Sequence, residues 1–266
     1  MAAMLIWTVG CGARDGDGAA LLQALGVVEA PTPPPIVVDV LCDASTGSTC
    51  TRTVLESTLD VVLSAVVTRP GSTMRVWVQG RSVDETALVA TVTSAGSLYT
   101  GKRALVSQQR WMRESKTTLL AAALPAFQRT TRRSPIAEGI SRLGLAGSPH
   151  GGQRFILIVT DGREVSSFGD FECGALPREE RFIRRLHAQG VLTPRSIAGA
   201  VVVLSHVNLG PVDGRRCPVT LARVAAINAL WTTALTTAGA AHVRIETGPP
   251  AATLFTTTNA TKETRL

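Results

Sequence analysis

Two short loops and one isolated serine carry the oxygen chemistry of this sequence: Asp43-Ala44-Ser45-Thr46-Gly47-Ser48, Ser134 ahead of Pro135, and Thr160-Asp161-Gly162. Carboxylates at Asp43 and Asp161 with hydroxyls at Ser45, Ser48 and Ser134 form an oxygen donor set suited to a hard cation such as Mg²⁺ (or Mn²⁺/Ca²⁺), and poorly to zinc. Taken one at a time, each piece also has a plain reading. Asp-Ala-Ser-Thr-Gly-Ser is ordinary turn and helix-entry composition, Thr-Asp-Gly is a common strand exit, and Ser-Pro opens many helices.

Other chemistries find less support. Two aspartates at strand ends could serve a Mg²⁺-dependent hydrolase, but Ser45 stands where a dehalogenase-like phosphatase needs its second Asp. No GxxxxGK[ST] phosphate loop occurs, and Gly10-Cys11-Gly12 lacks the rest of a dinucleotide fingerprint. His150, His187, His206 and His242 are dispersed, without HExxH spacing or an evident triad. The residues therefore point to binding rather than turnover, and no enzymatic role is expected.

The elements that must position these side chains alternate. The segment 36–42 is a continuous apolar run of strand length, broken only by Asp39, and residues 52–67 carry apolar side chains at helical spacing. Strands are expected at 74–78 and 86–92, joined by a short polar segment that suits an antiparallel hairpin at a sheet edge. A helix over 104–127 is expected to be interrupted or ended near Pro125, and another to start at Ser134-Pro135, with Ser134 as its cap, and run to Gly147. Strands at 155–160, 198–206 and 241–245 alternate with helices at 177–189 and 219–238. The sum is one α/β domain with a doubly wound, mostly parallel sheet, one antiparallel edge strand and helices on both faces. In such sheets ligands bind outside the carboxyl ends of the strands, where all three clusters fall.

In this order the chain resembles a von Willebrand factor A (vWA) domain over about 36–246. That family builds its metal-ion-dependent adhesion site from a DxSxS loop after the first strand, a Thr on a later loop and an Asp after the fourth strand. Asp43 and Ser45 match the start of the loop motif, Asp161 matches the late Asp, and Ser134 stands where the family has Thr. Gly47 occupies the second serine position and Ser48 follows one residue later, so Ser48 could coordinate only if the loop shifts by a residue. The resemblance implies a divalent cation with one coordination position open to an acidic group on a partner protein, serving adhesion or assembly. These departures keep a metal-free scaffold subunit of a larger complex as the alternative.

Charge sharpens the partner question. The chain carries a net +7, yet residues 102–133 hold eight basic groups against one acid, and the remainder has 19 of each sign. That distribution argues against a uniformly basic nucleic-acid binder. Arg129, Arg132 and Arg133 lead into Ser134 and could draw an acidic partner, an anionic surface or lipid headgroups towards the site.

The domain is expected over 36–248. It follows a segment, 1–35, that ends in a Pro-rich spacer and precedes a Thr-rich tail, 249–266, expected to be loosely ordered. No apolar run is long enough for a membrane-spanning helix. The start, Met1 to Cys11, resembles a bacterial lipoprotein signal in which Cys11 would be lipidated, although Thr8 replaces the usual Leu and no basic n-region precedes it. Cys42, Cys50, Cys173 and Cys217 are then an even set able to form two disulfides in an oxidising compartment. Together these point to an exported bacterial protein, periplasmic or membrane-anchored, with a cytoplasmic protein holding four buried thiols as the alternative.

Overall fold

A computed structural model describes residues 33–82, 84–96, 101–127, 131–147, 152–207 and 220–255. All but Pro33 belong to one compact unit. Cys11, Arg129 and Cys217 lie outside the described residues.

Among the described residues, six strands form a single sheet: β1 (Ile36–Cys42), β2 (Thr73–Val78), β3 (Ala87–Thr93), β4 (Gln153–Val159), β5 (Val201–Ser205) and β6 (His242–Ile245), in the order β3-β2-β1-β4-β5-β6. Five run parallel, and β3 pairs antiparallel with β2 at one edge, as the short polar connection requires. The helices are α1 (Arg52–Val67), α2 (Gly101–Phe127), α3 (Ile136–Leu145), α4 (Glu179–Ala188) and α5 (Leu221–Thr237). Among the described residues, no helix is long and apolar enough to cross a membrane.

The strands are apolar on both sides because both faces are covered. Val38, Val40, Met74, Val76, Leu157 and Val203 pack under α1 and α2, while Leu41, Ile156, Ile158, Val202 and Leu204 pack under α3, α4 and α5. Leu119 and Ala123 anchor only the second half of α2; none of its first fourteen residues is buried. Pro125 does not interrupt α2. It sits in the last turn, two residues before the helix ends at Phe127, so the helix does end near this proline. Within the polar tail, Ala252–Phe255 forms a 3-10 turn whose Leu254 and Phe255 are buried; Phe255 meets Phe155 edge-on at 5.0 Å.

Asp39, the anomaly in β1, is fully buried and accepts from Nε of Arg75 at 2.6 Å, Nε of Arg154 at 2.9 Å and Nε1 of Trp77 at 2.8 Å. The same two guanidiniums donate to Gly147 O and Leu143 O at the carboxyl end of α3. One carboxylate and the negative end of a helix thus share two buried cations. This cluster locks α3 to the sheet at the end opposite Ser134. Gly139 permits close packing along the helix, since a Cβ there would meet Leu41 Cδ2 at 3.0 Å.

Candidate functional site

β1 lies between β2 and β4, so the chain winds away from it in both directions and the switch point falls between β1 and β4. Asp43 leaves the first of these strands and Thr160-Asp161 the second, with Asp43 N donating to Val159 O at 3.0 Å. A crevice between diverging connections is the place where a doubly wound sheet holds ligands.

Asp43 is fully buried, and its carboxylate organises the site. Oδ1 accepts from Ser45 N at 3.0 Å, closing the loop start as an Asx turn. Oδ2 accepts from Ser134 Oγ and from Thr160 Oγ1, both at 2.9 Å. Thr160 Oγ1 in turn accepts from Gly162 N at 3.1 Å, where a φ of +82° turns the chain away from the strand end. Ser134 therefore does not cap α3 as its position before Pro135 suggested: its hydroxyl crosses to a carboxylate 91 residues away. Pro135 occupies the cap position without a side-chain bond, and Glu164 supplies the missing acceptor, with Oε2 taking Ala137 N–H at 3.0 Å.

Glu164 is the site residue that sequence reasoning missed. Burial pushes its carboxyl up to about 8, with repulsion from Glu138 and Asp43 adding to the rise and hydrogen bonds to Ser166 and Ala137 opposing it. No local pattern marks it, because the amide it caps lies 27 residues earlier in the chain. Reciprocal backbone bonds between Ser134 and Val165, at 3.1 and 2.9 Å, hold this loop against the start of α3. Trp231 Nε1, from α5, donates to Gly162 O at 2.9 Å and fixes the same loop from the other side.

Asp161 is 5% exposed, and its Oδ1 accepts from Arg163 N at 2.9 Å. Ser45 is half-buried beside Asp43. Ser48 is drawn elsewhere: its Oγ accepts from Cys50 N at 3.3 Å, just ahead of α1. The loop from 42 to 50 is closed by a Cys42–Cys50 disulfide with a Cα–Cα distance of 5.7 Å, and it leans on Thr131 through Thr46 N–H at 2.7 Å. Cys173 is also disulfide-bonded. Arg132 and Arg133 are exposed immediately before the buried Ser134.

The donor chemistry fits a hard divalent cation. Three carboxyls, Asp43, Asp161 and Glu164, are buried at one sheet edge, and it is chiefly burial that raises Glu164, with like charge from Glu138 and Asp43 adding less. Among the described residues, no three His, Cys, Asp or Glu side chains could hold a metal by themselves. Hydroxyls must therefore supply part of any coordination sphere; those of Ser134 and Thr160 bond Asp43 directly, and Ser45 meets the same carboxylate through its backbone amide.

No protein-family model matches the sequence, and no curated protein matches it. Among solved structures, the chain is similar to one described as the conserved hypothetical protein BatB from Bacteroides thetaiotaomicron, at 12% identity and a TM-score of 0.42, covering 81% of this chain and 91% of that one.

Proposed function

We propose that the protein is a vWA-type binding module, exported and non-enzymatic, that engages a partner protein at the edge between β1 and β4. In this reading Asp43, Ser45, Ser134 and Asp161 hold a divalent cation, Mg²⁺ or else Mn²⁺ or Ca²⁺. A cation so bound would present an incompletely neutralised charge to an acidic side chain of the partner. The chain's own contribution is to gather buried oxygen donors and keep them rigid. The observation that carries the reading is the Ser134 Oγ to Asp43 Oδ2 hydrogen bond at 2.9 Å, which joins two motif positions from distant parts of the chain at the switch point. The Cys42–Cys50 disulfide supports export, since such bonds persist in oxidising compartments. Arg132 and Arg133 add positive charge on the approach.

A second reading, a metal-free scaffold subunit, is favoured by Asp43 itself, both of whose oxygens already accept hydrogen bonds from the chain. Isothermal titration with Mg²⁺ and Mn²⁺ separates the two. Saturable heat that Asp161→Ala removes, in protein that remains folded, is expected from the cation site. A folded wild-type chain that gives no heat with either ion leaves the scaffold reading standing and removes the metal.

A further inference from the structure

Outside residues 102–133 the chain has 19 basic and 19 acidic residues, but the fold does not spread them evenly. A groove of about 940 Å³ runs along α4, lined by Arg178, Arg181, Arg184 and Arg185, with Glu180 as its one carboxylate among the described residues. Leu176 and Pro177 give it an apolar portion. Spacings of three and four residues place the arginines along one side of the helix, while Phe182 and Leu186 point into the core.

All four guanidinium side chains are on exposed residues. Arg178, Arg181 and Arg184 have no ion-pair or hydrogen-bond partner for their side chains among the described residues. Arg185 donates only to a neutral carbonyl, Phe168 O, at 3.3 Å. Glu180 precedes Arg184 by one helical turn, yet the pair is not within ion-pair distance. The result is a concave strip with four guanidiniums against one carboxylate, joined through Arg185 and Phe168 O to the loop that follows Asp161.

We infer that this groove is a docking surface for an acidic segment of a partner protein, a peptide that alternates carboxylates with apolar side chains. Guanidinium forks pair bidentately with carboxylates, and Leu176 and Pro177 offer contact to an apolar side chain lying between them. The alternatives fit less well. A nucleic-acid backbone is uniformly anionic and would meet Glu180 inside the groove without using the apolar portion, and a flat anionic bilayer does not enter a concavity. A peptide can place an uncharged residue opposite Glu180. This contact does not depend on a cation and goes beyond the site at the sheet edge.

The test is fluorescence anisotropy of a labelled peptide of repeated Glu-Glu-Leu with the full chain in EDTA, at about 50 mM salt where screening is modest. Replacing three groove arginines (Arg178→Gln, Arg181→Gln, Arg184→Gln) is expected to weaken binding roughly tenfold or more. Replacing three on α2 (Arg103→Gln, Arg110→Gln, Arg113→Gln), which changes net charge equally, should leave affinity within about twofold. Asp161→Ala should also leave it unchanged, so a failed cation site would not mimic a failed groove. No measurable binding overturns the inference, as does equal loss in the two triple variants. So does tighter binding to the groove by an oligothymidylate or by phosphatidylglycerol vesicles than by the peptide.

Discussion

At Asp43 and Glu164 the same sheet edge holds two carboxyls in opposite circumstances. Asp43 accepts three hydrogen bonds, two from hydroxyls and one from an amide, whereas Glu164 is fully buried and its bonds to Ala137 and Ser166 do not offset that burial. The raised value of Glu164, about 8 against an ordinary 4.5, means that the folded chain keeps a proton which the unfolded chain releases. More protons bound in the folded state make stability fall as pH rises. The contribution of the neutral carboxyl is therefore full below about pH 4.5 and lost as pH climbs through about 8. Urea midpoints measured in EDTA from pH 5 to about 8.5 should fall for the wild type. Glu164→Gln, which keeps an acceptor for Ala137 but cannot titrate, should show a flatter profile. Parallel profiles for the two proteins would mean that Glu164 does not govern this range.

Among the elements, α3 and the β1–α1 loop decide whether the site has one shape. α3 is held at its carboxyl end by Arg75 and Arg154 and at its amino end by Glu164, so Ser134 is delivered to Asp43 by a helix fixed at both ends. The loop is fixed by the Cys42–Cys50 disulfide, with a sequence separation of 8, and closing so short a loop restricts the unfolded chain by about 2–3 kcal/mol. The double replacement Cys42→Ala with Cys50→Ala should lower unfolding free energy by that amount, and dithiothreitol, which also reduces the disulfide of Cys173, should lower that of the wild type at least as much, both read by chemical denaturation. A loss under about 0.5 kcal/mol would show that the hydrogen bonds of Asp43 and Thr46 order the loop unaided.

The elements themselves were legible in the sequence, because strands buried on both faces are nearly continuous apolar runs, β1 broken only by Asp39, and helices such as α1 repeat their apolar residues at helical spacing. Asp43, Ser134 and Asp161 were legible as motif positions at strand and helix ends. What Ser134 does was not: Ser-Pro composition predicts a cap, and the competing acceptor is 91 residues distant. The role of Asp39 and the choice of Glu164 as cap depend likewise on side chains from other elements. The charge of α4 was visible only as a favourable macrodipole pattern, since carboxylates elsewhere cancel it in any count along the chain.

Across the whole molecule the sheet divides the interior into two cores: the α1-face core closes the β1–α1 loop through Cys42 and Cys50, and the α3-face core holds the Gly162 turn through Trp231. On the α1 face, Phe255 fills the end of the core against Phe155, 5.0 Å between ring centres, and its carbonyl accepts from Arg69. On the α3 face, Trp231 packs against Phe171 and Phe182 and also donates to Gly162 O, one residue beyond Asp161. Stability and site geometry should therefore separate. Phe255→Ala opens a cavity and is expected to cost about 3–5 kcal/mol. Below its melting range the folded variant should keep wild-type behaviour at the site. Trp231→Phe keeps most of the ring contacts and strands one carbonyl, a loss of about 1–3 kcal/mol. Freed from Trp231, the Gly162 turn is expected to shift Asp161, so this milder variant should weaken Mn²⁺ binding in calorimetry several-fold where the harsher one does not. With a wild-type chain that binds no ion, protection of the Gly162 and Arg163 amides from hydrogen exchange provides the same comparison. An equal effect of the two variants at the site would show that the cores are coupled through the sheet rather than through Trp231.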